Sequence, residues 1–133
     1  MQRLGLTYFI AAFTLFCSAQ QFNPKDITPD SSTFENVYVK KVKSDTFQST
    51  FLIWVKNKVP PHYHEYHTEY IYVISGSGLM TLADSTFKIK KGDAVLIPAT
   101  TIHSVETISK KPLKVVSVQA PKFDGDRIWV QKK

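Results

Sequence analysis

From Glu35 onward the chain is a succession of short runs of β-branched and aromatic residues divided by turn residues, and that pattern constrains the fold most. Thr46 to Lys56 holds Phe47, Phe51, Leu52, Ile53, Trp54 and Val55, and Glu69 to Ser75 holds Tyr70, Ile71, Tyr72, Val73 and Ile74. Further runs lie at Leu79–Ala83, Thr86–Ile89, Ala94–Ile97, His103–Ile108, Leu113–Gln119 and Arg127–Val130. Such residues suit a pleated, half-buried surface. Between the runs stand Pro60-Pro61, Gly76-Ser77-Gly78, Asp84-Ser85, Lys91-Gly92-Asp93, Lys111-Pro112 and Asp124-Gly125, all read as turns. No apolar pattern recurs at helical spacing. Many short strands at regular intervals predict an all-β sandwich or barrel, and 133 residues suffice for one domain.

The first residues differ in kind. Arg3 supplies one positive charge, Leu4 to Phe16 is almost wholly apolar, and Cys17-Ser18-Ala19 ends in small residues. This order predicts a signal peptide over 1–19, cleaved after Ala19, and hence a secreted or periplasmic protein. The apolar run has 13 residues, whereas a bilayer span needs about 20, so stable membrane insertion after cleavage is not expected. Phe16 is too bulky for the residue before a lipid-modified cysteine. Residues 20–34, with Pro24 and Pro29, read as an extended arm leading into a domain at 35–133. Cys17 is the only cysteine, so the mature chain would have neither disulfide nor thiol nucleophile.

The net charge is +6. The lysines are scattered, with pairs at Lys40-Lys41, Lys90-Lys91, Lys110-Lys111 and Lys132-Lys133. A nucleic-acid binder would show a clustered basic stripe, so no nucleic-acid partner is expected. Most of the lysines fall at turns or strand ends, where they keep sheet edges soluble.

The four histidines are at 62, 64, 67 and 103. Residues i and i+2 of a strand share a face, so His62 and His64 can converge on one point. Glu69 shares a face with Ile71 and Val73, and an acidic residue on an apolar face needs a partner. A metal ion would be one. A solvated histidine-rich loop is the competing reading of 62–67. His67 fits neither the face of His62 and His64 nor their spacing, and it reads as a solvent-facing loop residue. Tyr63, Tyr66, Tyr70 and Tyr72 are expected to pack between strands or at a rim, and Trp54 and Trp129 to be core or interface bulk.

These stretches resemble the two motifs of the cupin superfamily. In G-x5-H-x-H-x4-E-x6-G, His62, His64, Glu69 and Gly76 match; in G-x5-P-x-G-x2-H-x3-N, Gly92, Pro98 and His103 match. Lys56, Thr100 and Thr107 replace the first glycine, the second motif's later glycine and the final asparagine. Those departures bear on turn geometry more than on metal binding. The resemblance implies a single-domain jelly-roll β-barrel in which the motif strands lie side by side. It implies one divalent transition metal, Fe, Mn, Ni, Co, Cu or Zn, held by His62, His64, Glu69 and His103. Donor type alone does not choose among these metals. Four protein ligands on an octahedral ion leave two positions open, which favours catalysis over a structural role.

The function expected from this resemblance is that of an exported metal-binding cupin. Its first form is a metal-dependent, dioxygenase-type enzyme acting on a small molecule, with Glu69 as a candidate base. The alternative is a non-catalytic module that binds a sugar or another small ligand. No other catalytic residue stands out. Arg127 is the single arginine beyond Arg3, and this scarcity disfavours sugar-phosphate chemistry. A homodimer is expected from resemblance alone.

Overall fold

The computed structural model describes residues 21–130; the expected signal peptide and its cleavage point at Ala19 lie outside the described residues. Ten antiparallel strands form two five-stranded sheets that face each other. They are β1 (Val37–Ser44), β2 (Ser49–Val55), β3 (Lys58–His64), β4 (Thr68–Ser75), β5 (Ser77–Leu82), β6 (Ser85–Lys90), β7 (Ala94–Ile97), β8 (His103–Thr107), β9 (Leu113–Ala120) and β10 (Arg127–Trp129). One sheet has the order β1-β2-β9-β4-β7 and the other β10-β3-β8-β5-β6. The architecture is the expected all-β cupin jelly roll.

Side-chain alternation builds the core. On β4, Glu69, Ile71 and Val73 turn inward and are buried, whereas Tyr70 and Tyr72 turn outward and are exposed. Inward residues of both sheets, among them Ile53, Ile71, Val73, Met80, Ile89 and Leu113, form one buried cluster. β2 is buried along its whole length on both faces, which explains its continuous apolar run. Its outer face is covered by the arm. Tyr38 packs edge-on against Trp54 and donates its hydroxyl to Asp30. Lys114, on the same outer face, donates to the backbone carbonyls of Ile27 at 2.7 Å and Lys25 at 3.3 Å and sits over the Trp54 ring. Lys114 is thus a buried lysine within a strand, unlike the solvated lysines that the sequence suggests.

Two turn readings are corrected. Pro60 and Pro61 do not end a run; they lie inside β3, where the pairing with β8 shifts register between Val59 and His62. Proline has no N–H for the ladder and is tolerated at such a bulge. The hairpin between β5 and β6 turns at Ala83-Asp84, one residue earlier than expected, because Leu82 pairs with Ser85.

Three motif positions carry the turns around the site. Gly76 has φ +79°, and a Cβ there would lie 2.7 Å from the Pro112 carbonyl oxygen and 2.9 Å from the Leu113 Cα. Thr100, standing where the cupin motif has glycine, adopts the same kind of backbone at φ 64°. The turn is therefore retained, and its strain falls on a β-branched residue. The Thr100 N–H donates to the His64 carbonyl at 2.7 Å, tying the turn to the histidine strand. Thr107, in place of asparagine, donates Oγ1 to the Val55 carbonyl at 2.8 Å. Gly76→Ala is expected to destabilise by at least about 2 kcal/mol, through strain plus backbone collision. Thr100→Gly is expected to stabilise by up to about 1 kcal/mol, since glycine accepts this φ without strain but loses more chain entropy. Denaturant midpoints of the two variants check these opposite signs.

Candidate metal centre

The β3 bulge delivers the histidines. After Pro61, β3 regains register so that His62 lies directly opposite His103 on β8. Their ring centroids are 4.1 Å apart. His64, two residues along β3, faces the same interior, 5.6 Å from His62 and 5.7 Å from His103. Each of the three offers a ring nitrogen within 4.8 Å of those of the other two. Glu69 reaches in from the opposite sheet. Its Oε2 lies 3.3 Å from His64 Nε2 and 3.5 Å from His103 Nε2. All four side chains are buried. The structure therefore brings together the four residues singled out in the sequence, with Glu69 closer to His64 and His103 than to His62.

The hydrogen bonds around the rings decide which atoms face inward. His62 Nδ1 donates to the Pro60 carbonyl at 2.8 Å, His103 Nδ1 to the Thr101 carbonyl at 3.0 Å, and His64 Nδ1 to Asp126 Oδ1 at 3.2 Å. With every Nδ1 engaged as a donor, each Nε2 is the atom left for a ligand. His64 Nε2 and His103 Nε2 are buried with no hydrogen-bond partner. Orphaned buried nitrogens are costly, and two of them facing one carboxylate fit a cation between them. The spacing fits as well, because neighbouring ligand atoms about 2.1 Å from an ion lie about 3.0–3.5 Å apart. Three imidazoles and a carboxylate are the donors of a divalent transition metal.

The carboxylate is itself held. Ser117 Oγ donates to Glu69 Oε1 at 2.5 Å, and Gln119 Nε2 donates to the same oxygen at 3.4 Å. Burial would raise the Glu69 pKa, but the facing His103 and His64 imidazoles and the Ser117 hydroxyl outweigh it and hold the group well below the usual carboxylate range. Burial, aided by the positive fields of His103 and Arg127, pushes His62 down to about 4, so it stays neutral at physiological pH. His64 moves the other way: burial opposes its charge, but the Glu69 and Asp126 carboxylates raise its pKa.

His67 is a correction. It is not solvent-facing but fully buried. Its Nδ1 lies 2.5 Å from Asp126 Oδ2, its Nε2 is 2.8 Å from the Lys122 carbonyl, and its ring packs on Tyr66 and Phe123. The segment 121–126 folds back over it. One carboxylate, Asp126, therefore spans His64 and His67 and also accepts the backbone N–H groups of Tyr66 and His67. Burial opposes its charge, yet His67, the Tyr66 N–H and His64 hold its pKa below the usual value. Trp129 is a rim residue, half exposed, with its ring 5.0 Å from that of His62.

Sequence reasoning missed Ser117, Gln119, Asp126 and Arg127. The first two left a signal: Leu113, Val115, Ser117 and Gln119 alternate on one inward face, so two polar side chains there need a buried partner. Asp126 left none, because it meets His64 from 62 residues away.

The sign of the His62 effect sets a pH dependence. Below about pH 6.5 the unfolded chain takes up a proton that the folded site refuses until about pH 4. The contribution of His62 to stability is therefore complete above pH 6.5 and lost as the pH falls toward 4. Metal-free protein is expected to lose on the order of 2 kcal/mol from this group between pH 6.5 and 4.5. Denaturant titrations should show a shallower pH slope for His62→Gln than for the native chain.

Comparison with known proteins agrees with this fold. The cupin domain family matches residues 50–119. An uncharacterised protein of Methanocaldococcus jannaschii is 35% identical over 105 residues, covering 75% of this chain and 82% of that protein. Quercetin 2,3-dioxygenase of Bacillus subtilis is 34% identical over 65 residues, which are 49% of this chain and 19% of that enzyme. Among solved structures, an uncharacterised conserved protein with a double-stranded β-helix domain from Klebsiella pneumoniae superposes with a TM-score of 0.72 at 18% identity, over 86% of this chain and 100% of that one. With the family match running from β2 to β9 and the two motif strands paired at its centre, the chain belongs to the cupin family and its described residues form one cupin domain.

Proposed function

We propose that this protein is an exported metal-binding cupin that acts as a metal-dependent, dioxygenase-type enzyme on a small molecule. The observation that carries the reading is the pair of orphaned Nε2 atoms of His64 and His103 closing on the Glu69 carboxylate inside an apolar barrel. His62, His64, His103 and Glu69 would hold one divalent transition metal. Such an ion supplies Lewis acidity and, where it is redox-active, a route for electrons to an oxidant. The likeness to a dioxygenase across 49% of this chain supports the enzymatic form, and the charged, apolar and small-residue regions of 1–19 support export.

The chain's own groups would do the rest. The carbonyls of Pro60 and Thr101 and the Asp126 carboxylate fix the three imidazoles. Ser117 and Gln119 keep Glu69 Oε1 engaged, so Oε2 is the atom presented to the metal. Glu69 would help hold the metal, and the same carboxylate, oriented by its hydrogen bond from Ser117, would be the candidate base inside the cavity. Aliphatic side chains of both sheets line most of the rest of the cavity.

Elemental analysis of untagged protein is expected to find about one transition-metal ion per chain, and a His62→Ala/His64→Ala double variant is expected to have lost it; equal content in both sinks the proposal. Oxygen uptake by the Fe(II)-loaded protein with substrate would favour the enzyme, whereas ligand-dependent thermal stabilisation without turnover would favour a binding module. Asp126→Asn is expected to weaken metal affinity about 10- to 100-fold, as removal of partners behind a ligating histidine does. Because His64 has a raised pKa in the metal-free site, metal must displace its proton. Affinity measured with a chelator is therefore expected to fall as the pH is lowered.

A further inference from the structure

Arg127 stands at the same cavity with no hydrogen-bond partner for its Nε among the described residues. It opens β10 directly opposite His64 on β3, so its side chain shares the inward face of that strand pair. The barrel interior holds a cavity of about 70 Å³ whose wall includes His62, Glu69, His103, Ser104 and Arg127 among aliphatic side chains. Arg127 is the single lysine or arginine in that wall. Its Nε is buried with no hydrogen-bond acceptor. Among the described residues its guanidinium has no carboxylate within 4.0 Å; the ion pairs of the site use Glu69 and Asp126 with histidines instead. Trp129 borders it on the rim, its ring centre 5.5 Å from the guanidinium carbon.

An arginine kept beside an apolar cavity with a buried, unsatisfied donor lacks an acceptor. Resting on the metal-site reading above, we propose that Arg127 is the anion-binding residue of this pocket and that the ligand is a small carboxylate with an apolar body. The carboxylate would accept from the guanidinium while the remainder of the molecule lies among the aliphatic walls beside the metal residues. Guanidinium geometry suits a two-oxygen acceptor. Arg127 is the single side-chain cation lining the described wall, which suits one negative charge placed away from the metal residues. The volume agrees: one water needs about 10–15 Å³ on this measure, so the cavity has room for a compact acid.

Calorimetric titration of Co(II)-loaded protein with butyrate and with the neutral butyramide tests this. Butyrate is expected to bind the native chain at least about tenfold more tightly than butyramide does, and about tenfold more tightly than it binds Arg127→Met. Arg127→Lys, which keeps the charge without the planar fork, should fall between. Cobalt content equal across the three proteins would show that the variants are folded and loaded. The proposal is overturned if acid and amide bind the native chain alike, if neither binds, or if native and Arg127→Met bind butyrate alike. Its failure is separable from that of the metal reading. Full cobalt content with arginine-independent butyrate binding sinks this inference alone. Absence of cobalt with arginine-dependent binding of butyrate sinks the metal reading and leaves this one standing.

Discussion

One carboxylate joins the chemistry of the two sheets. Glu69 enters the barrel from β4, and the histidines it meets come from β3 and β8 in the opposite sheet. A lone ionised carboxylate among aliphatic side chains is costly, and so are imidazole nitrogens without partners. Brought together, each group offsets the burial of the other, and the low local dielectric strengthens their attraction. The sheets must then hold these atoms a few ångströms apart, which a closed barrel with a fixed register does and a flexible loop would not.

The surrounding residues enforce that arrangement from several directions. The bulge at Pro60-Pro61 sets His62 opposite His103, and it also places the Pro60 carbonyl where His62 Nδ1 can donate to it. The N–H of Thr100 grips the His64 backbone, which gives a strained residue a reason to keep a positive φ. Asp126 reaches His64 from the segment before β10 and pins His67 with its other oxygen. β10 is therefore part of the site: Asp126 stands just before it, Arg127 opens it at the cavity wall and Trp129 flanks Arg127 on the rim.

The legible part of this site came from parity. Alternation put His62 with His64, and Glu69 with Ile71 and Val73, because neighbouring side chains of a strand face opposite ways. The same rule applied to β9 would have flagged Ser117 and Gln119 as inward polar residues. Other features were illegible for identifiable reasons. Proline usually marks a turn, so a bulge that keeps the strand running past Pro60-Pro61 is invisible without its partner strand. His67 occupies a connection between strands, where exposure is the ordinary expectation, and only the return of 121–126 over it buries the ring. Lys114 looks like any strand lysine until the arm's carbonyls are seen above it.

By itself the sequence determined the all-β class, the division into short strands and the pairing of His62 with His64 on one face, since these depend on local composition and period-two alternation; the full set of four candidate ligands came from the resemblance to the cupin motifs. The tertiary structure decided which atoms of those side chains face one another, that Asp126 stands behind His64, and that Arg127 lines the cavity wall with its Nε unpaired among the described residues. Those are relations between residues up to 62 positions apart. They are set by strand register and sheet closure, which no local window of the chain contains.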